Sequence, residues 1–546
     1  MNQLIKKDYL YFLFILIFLF FLGIYTFKDY GVGIDDKFHR LNGFFWLNYI
    51  LDYFNFDQIS ETVSFKLNSI SDNSLPSIEK FNFYGILFDV PAALIETFFN
   101  IDNSQDYFFL RHLLNYFYFL IGLVFFYKLL IKRFDLYSSL IGILLFILSP
   151  RIYGDSFYNM KDIIFLSFLC IALYFCFEFY KNKSFKNILL FALFSAFCIQ
   201  TRILGIFLPF AFFLFYFLEL LSNKNDFKYL NKYFLYLFFL FLFLYIFWPY
   251  LWSNPINNFL ILFKNIEDLI PDVKVLFEGN YINVRYLPYD YIPTWIFISS
   301  PIQNSIFLIL GMFLIFGRLI GRLLSFEKLN LNFYDLWRNR KEKFDLFIFF
   351  CFISIIISII VFNISLINSW KYVYFLNIFI IYICTLSIFF IKKKLNKKMY
   401  NIIFIFLLLS LSFTFFRMIQ YHPYQGLYFN FLLSKNYKNS FDIDFTAISG
   451  RNALEWILKK DSNNLIKVAS ASWVPLNRSI EILDKEKRDL IKFVGQEYEK
   501  ADYIYTNYIS EVDKNLNKKY DIPINFIKIY DHVVDGLKVY TLYKKK

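Results

Sequence analysis

Long apolar stretches recur along the chain, each closed by a lysine or arginine cluster or by a polar loop. A helix that crosses a bilayer needs about 20 apolar residues. By that measure about eleven spans are predicted, near 9–27, 111–131, 136–150, 163–180, 187–201, 203–221, 233–248, 302–323, 345–366, 372–391 and 400–418. In 187–221 the only break is Gln200-Thr201-Arg202, which reads either as a tight polar turn or as a kink. The first stretch, 9–27, is longer than a signal-peptide core and lacks a small-residue cleavage site, so it is expected to stay as an anchor.

The long loops carry their own pattern. The 28–110 loop is too long for a connector. Residues 44–56 and 91–100 space their apolar side chains at helical intervals, which predicts two helices lying along the membrane surface. The 249–301 loop, with WPYLWSNP and RYLPYDYIPTW, suits an interfacial segment. After about residue 440 the apolar runs shorten and charges alternate in sign. A helix is expected over 451–460, and strands over 465–471, 501–508, 526–530 and 537–543, the last two joined by a turn at Asp535-Gly536. The expected division is a membrane domain over 1–435 and a soluble α/β domain over 436–546.

Composition supports this picture. The chain is 58% hydrophobic with mean hydropathy +0.46, and only 18% of its residues are charged, which excludes an ordinary soluble protein. The abundance of Phe and Tyr is read as coding bias. The net charge of +13 sits in short loops between spans, so it sets orientation and does not point to nucleic acid. The clusters at Lys6-Lys7, Lys132-Arg133, Lys181 to Lys186, Lys224 to Lys232, Arg318 to Lys343 and Lys392 to Lys398 fall on alternate sides of the spans. They predict a cytoplasmic N-terminus and an extracytoplasmic C-terminal domain; the expected location is a bacterial inner membrane. Cys170, Cys176, Cys198, Cys351 and Cys384 all lie in apolar stretches, which implies neither a disulfide framework nor a zinc site.

Candidate chemistry gathers at the predicted outer face. GVGIDDKFHRLNGFFWLNY places Asp35 and Asp36 beside Lys37, His39 and Arg40, just past the first span. Ionisable side chains at the mouth of a span mark function or a solvated ion pair, and both readings stand. SPRIYGDSFYNMKD, read as an outer loop over 151–162, adds Arg151, Asp155, Asn159, Lys161 and Asp162. Asp162 opens the next span, where it is either a dipole partner or a site carboxylate. Arg202, Arg285 and Lys371 are single cations at membrane edges; each either snorkels to the headgroups or joins Arg151 and Lys161 around an anionic headgroup such as a lipid phosphate. His39, His112, His422 and His532 are scattered, no metal-ligand spacing occurs, and no nucleotide loop is present.

Five segments together resemble the GT-C glycosyltransferases, and most nearly the family 39 group of protein O-mannosyltransferases and the lipid A aminoarabinose transferase. They are GIDDKFHRLNGFFWLNYI (33–50), SPRIYGDSFYNMKDIIF (149–165), TRILGIFLP (201–209), YLPYDYIPTWIFISSPI (286–302) and HPYQGLYFN (422–430). The resemblance spans 1–435. It implies about eleven transmembrane helices of GT-C type, a long first outer loop and a small appended domain. It also implies transfer of a sugar from a polyprenyl-phosphate carrier to an acceptor hydroxyl on the outer face, with inversion. Asp35 would be the base, Asp36 its acidic partner, and Asp162 or Asp155 would orient the acceptor. Arg151, Lys161, Arg202, Arg285 and Lys371 would contact the phosphate, with His39, Arg40, Asn159 and His422 as further site candidates. The implied partners are the lipid-linked donor, an unspecified acceptor and membrane lipids. No cofactor is required, with a divalent cation between Asp35 and Asp36 as an alternative. The rival reading is a transporter or flippase of lipid-linked saccharides.

Overall fold

In the computed structural model, residues 2–70, 82, 84–222, 229–264, 272–325, 336–461 and 465–546 are described. The chain is a polytopic helical membrane protein with a small C-terminal sheet domain. Among the described residues nine helices are long and apolar enough to cross a membrane, or ten if one bent pair is a single span. These are α1 (Asn2–Thr26), α5 (Ser104–Arg133), α8 (Asp162–Lys181), α10 (Phe207–Ser222, long enough together with the turn that begins at Ile203), α11 (Leu230–Phe247), α14 (Ile302–Leu323), α15 (Arg340–Val361), α16 (Leu376–Lys394) and α17 (Lys397–Tyr421). The eleventh apolar stretch is α9 (Phe185–Thr201), a helix of 17 residues. α8 and α16 are the most deeply buried and form the centre of the bundle, whereas α1 exposes Phe14, Phe18, Phe21 and Tyr25.

Local chemistry fixes several boundaries. Asp135, Ser184, Asn339 and Asn396 each accept a backbone N–H in the first turn of the helix they precede. α9 ends where Arg202 turns extended, and a short 3-10 turn leads into α10. The predicted span at 136–150 and the loop after it need correction. α6 (Leu136–Ile147) stops at Leu148, and Pro150 starts α7 (Pro150–Tyr158), bent 62° from it. The 151–162 stretch is therefore mostly a buried helix, because every residue of α7 packs inside the protein.

The 28–110 loop forms α2 (Asp36–Tyr53), α3 (Asp57–Ile70) and α4 (Asp89–Phe98); α2 and α4 overlap the helices expected over 44–56 and 91–100, and most of α2 is buried in the protein. The 249–301 loop holds α12 (Pro255–Lys264), the hairpin β1 (Lys274–Phe277) and β2 (Asn280–Asn283), and α13 (Tyr291–Ser299).

The C-terminal domain packs α18 (Gly450–Lys460) with a five-stranded sheet in the order β4-β3-β5-β7-β6. β3 (Ile466–Ser470) runs parallel to β4 (Ile491–Phe493) and β5 (Tyr503–Thr506). β7 (Leu537–Lys545) is antiparallel to β5 and to β6 (Phe526–Val534). Asp535 and Gly536, at φ 50° and 78°, make the expected turn.

This domain is docked on the loop that carries the acidic pair. Ile34 donates its N–H to the Thr446 carbonyl at 3.1 Å, and Arg451 donates to the Tyr30 carbonyl at 3.2 Å. Lys37 pairs with Glu481 at 2.8 Å, and Gln105 donates to the Ile482 carbonyl at 3.0 Å. Gly31 is needed here because a Cβ on it would lie 2.2 Å from the Ile448 carbonyl oxygen.

Candidate active site

The loop after α1 ends at Asp35, the residue before the first turn of α2. Its side chain makes no cap hydrogen bond there, which leaves the carboxylate 54% exposed in a cavity of about 500 Å³. Asp36, one residue on, is buried and accepts the Gly33 N–H at 2.9 Å. Adjacent carboxylates thus have different surroundings. Burial pushes Asp36 up to about 7, the Gly33 hydrogen bond opposing. For Asp35 the surrounding protein also pushes upward, but Lys371, His39 and Arg478 outweigh it and hold the group below the ordinary carboxylate value. Lys371 Nζ sits 3.4 Å from Asp35 Oδ2. Asp35 is therefore the ionised, reachable member of the pair.

Around it the fold gathers residues far apart in sequence. Asn159 and Lys161 come from the turn after α7, Asp162 from the start of α8, Arg202 from the end of α9, and Lys371 from just before α16. Arg202 Nε donates to Asp162 Oδ1 at 2.5 Å, and its guanidinium lies 4.6 Å from the centre of the Tyr372 ring. Asp162 Oδ2 is buried with no hydrogen-bond partner among the described residues. Asn159 Oδ1 accepts the Asp162 N–H at 3.1 Å. Lys161 Nζ lies 3.9 Å from the Tyr84 ring centre, and burial, reinforced by Arg202, pulls it down to about 7. His39 also lines the cavity and is tied to Asp89 at 3.1 Å. Trp248, Leu262, Ile203, Leu204, Leu366 and Ile367 make the apolar wall.

Other sequence candidates lie outside this lining. Arg151 is buried, donates to the Tyr428 carbonyl at 3.0 Å and lies between Trp295 and Phe429. Asp155 is buried behind the cavity, accepting from Tyr158 Oη at 2.8 Å and Asn159 Nδ2 at 3.0 Å. Arg40 pairs with Glu96 at 2.8 Å and covers the Tyr107 ring. His422 pairs with Asp29 at 2.9 Å, and Arg285 is exposed on a separate turn. Among the described residues no three His, Cys, Asp or Glu side chains group as a metal cage.

The sequence reading missed Arg478 and Thr446. Both reach the cavity from the C-terminal domain. Arg478 stands on the short helix α19 (Asn477–Glu481), which Lys37 and Gln105 pin in place. It makes no ion pair or side-chain hydrogen bond among the described residues, and its charge bears on Asp35. No sequence signal marks it, since it lies in an ordinary polar stretch far from the membrane segments.

Charged side chains converge on a half-apolar cavity at one end of a bundle of membrane-length helices. That defines the class, a polytopic membrane protein with a polar site at the membrane edge. Residues 90–252 match the family described as dolichyl-phosphate-mannose-protein mannosyltransferase. The resemblance to GT-C membrane glycosyltransferases is borne out over that stretch, which holds Asn159, Lys161, Asp162 and Arg202 but not Asp35, Lys371 or Arg478. No curated protein matches the chain by sequence. The chain is similar in structure to ArnT from Cupriavidus metallidurans bound to undecaprenyl phosphate, at 11% identity and TM-score 0.46, over 98% of this chain and 97% of that one. The same protein in its apo state gives 11% identity and TM-score 0.47, with 98% of each chain covered.

Proposed function

We propose that the protein is a glycosyltransferase that moves a sugar from a polyprenyl-phosphate carrier to an acceptor hydroxyl at the outer face of the membrane. The observation that carries this reading is the half-exposed Asp35 carboxylate, 3.4 Å from Lys371 and open to a cavity whose other walls hold Lys161 and Arg202 beside an apolar surface. The family match over 90–252 supports the same chemistry.

The reaction needs a base for the acceptor and cations for the leaving group. The acceptor oxygen attacks the anomeric carbon and its proton passes to the Asp35 carboxylate. The bond from that carbon to the phosphate oxygen breaks, and its electron pair leaves with the polyprenyl phosphate. One displacement from the face opposite the phosphate inverts the anomeric centre. Lys371, Arg202 and Lys161 would meet the charge that grows on the phosphate, and the apolar wall would take the first isoprene units. Asp162, fixed to Arg202, would orient the acceptor or hold Arg202 in register. Asp36 turns its carboxylate to Gly33, so a divalent cation between the two acids finds one open carboxylate already facing a lysine.

The test is purified protein in proteoliposomes, given polyprenyl-phosphate hexoses and pentoses as donors and cell-envelope lipid and protein as acceptors. The reading predicts one polyprenyl phosphate released per sugar transferred. Movement of intact donor across the bilayer without cleavage would favour the transporter reading instead.

Lys161 gives this proposal a pH signature. It is cationic below about 7 and neutral above, so its hold on an anionic donor weakens as pH rises through that range. The donor kcat/KM is expected to fall on the alkaline side of about 7 in wild type. The Lys161→Arg variant, charged throughout, should lose that limb.

Arg478 gives a second expectation. Arg478→Gln removes one of three positive influences on Asp35, so the acid limb of the turnover profile is expected to move to higher pH while turnover at neutral pH changes little. Turnover at two pH values, with folding checked by thermal unfolding, measures it.

A further inference from the structure

Lys371 precedes α16, and residues 364–367 follow α15, so both helices meet the Asp35 cavity at one end only. At about 1.5 Å per residue, their other ends lie roughly 30 Å away. There the last turns of α14 and α16 and the first turns of α15 enclose a second cavity of about 470 Å³. Its charged lining is Arg318, Arg322, Arg338, Lys394, Glu342 and Asp345. The two acids are already engaged. Asp345 takes Arg133 Nε at 2.8 Å and Nη2 at 2.6 Å, the Tyr382 hydroxyl at 2.9 Å and Arg318 Nη1 at 3.1 Å. Glu342 accepts the Arg338 backbone N–H at 2.9 Å. Among the described residues the lining is therefore net cationic.

Two further features point to a ligand. The Arg318 guanidinium lies 4.2 Å from the centre of the Phe390 ring and is held on one side by Asp345. Its Nη2 is buried with no hydrogen-bond partner among the described residues, a costly state unless an acceptor arrives. Secondly, Gly317 leaves the α14 side of the cavity open. A Cβ there, or on Gly321 one turn later, would meet nothing within 4 Å. Beside this trough α14 exposes Phe313 at 71% and Phe316 at 49%, on a helix of membrane-spanning length. Cations at the membrane edge, a vacant donor and an apolar track leading away match a phosphate that carries a lipid chain.

We propose that this second cavity binds the phosphate of a membrane lipid, with Arg318 Nη2 as a donor and the lipid chain along the Phe313 and Phe316 face of α14. The proposed transferase chemistry does not use it, and it stands if that reading fails. Two sources offer this chemistry, an anionic phospholipid and a polyprenyl phosphate.

The test is photo-crosslinking of the full-length protein in nanodiscs with photoreactive phosphatidylglycerol, undecaprenyl phosphate and diacylglycerol, followed by peptide mapping. Adducts on residues 313–322 and 338–346 are expected with one or both phosphate lipids, and not with diacylglycerol. Which phosphate lipid labels identifies the source. Gly317→Leu, which fills the trough without changing charge, should cut that labelling at least about fivefold. Arg322→Ala/Arg338→Ala, on exposed or half-exposed positions, should do the same by removing charge. Labelling by diacylglycerol equal to that by the phosphate lipids, or labelling unchanged in both variants, would overturn the proposal.

Discussion

Replacing Asp35 by Asn is expected to reduce sugar transfer about a thousandfold while leaving the fold intact, because an amide cannot take the acceptor proton. The expectation of an intact fold rests on what Asp35 does not do. It caps no backbone N–H of α2, it is half-exposed, and among the described residues its carboxylate is approached by Lys371 alone, at 3.4 Å. The same change at Asp36 would act differently. That carboxylate is buried against Gly33 and fixes the loop that presents Asp35, so Asp36→Asn would lower both stability and turnover. Single-turnover kinetics with thermal unfolding on each variant separates the two. Near-normal transfer by a folded Asp35→Asn protein would remove Asp35 from the chemistry.

Lys371→Ala is expected to have the second largest effect, about a hundredfold loss in transfer. The lysine stands to act twice, on the departing phosphate and on Asp35 itself. Lys371 is the leading positive influence that keeps Asp35 below the ordinary carboxylate value. Without it, burial acts less opposed and the Asp35 carboxyl moves up. Asp35 works as a base only when deprotonated, so the acid limb of the rate profile should shift to higher pH in the variant. A variant that lost only phosphate contact would fall in rate with no such shift. The full profile of kcat against pH, in wild type and Lys371→Ala, distinguishes these.

Much of the fold was legible because a bilayer imposes a simple rule on sequence. Each of the eleven apolar stretches became a helix, and the spacing within 44–56 and 91–100 was enough to find α2 and α4. The failure at α7 has a clear cause. Polar residues there looked like a solvated loop, yet Arg151 and Asp155 are buried because Tyr428, Ser369, Tyr158 and Asn159 meet them. Polarity reports the need for partners, not exposure to water. Lys161, Arg202 and Lys371 each looked alike as cations at membrane edges; only the packing of α8, α9 and α16 shows that they face one cavity, and that Arg285 does not. Arg478 was beyond reach for another reason. Its place depends on the docking of a separate domain through Thr446, Glu481 and Ile482, contacts that no local pattern encodes.

Whether Asp35 faces a lipid-linked phosphate is tested most directly by cryo-electron microscopy of the protein with undecaprenyl phosphate in lipid nanodiscs. Phosphate density is expected in the cavity beside Asp35, within hydrogen-bonding distance of Lys371 and Arg202, with the isoprenoid chain against Trp248 and Leu262. A cavity beside Asp35 that stays free of phosphate at saturating lipid would contradict it.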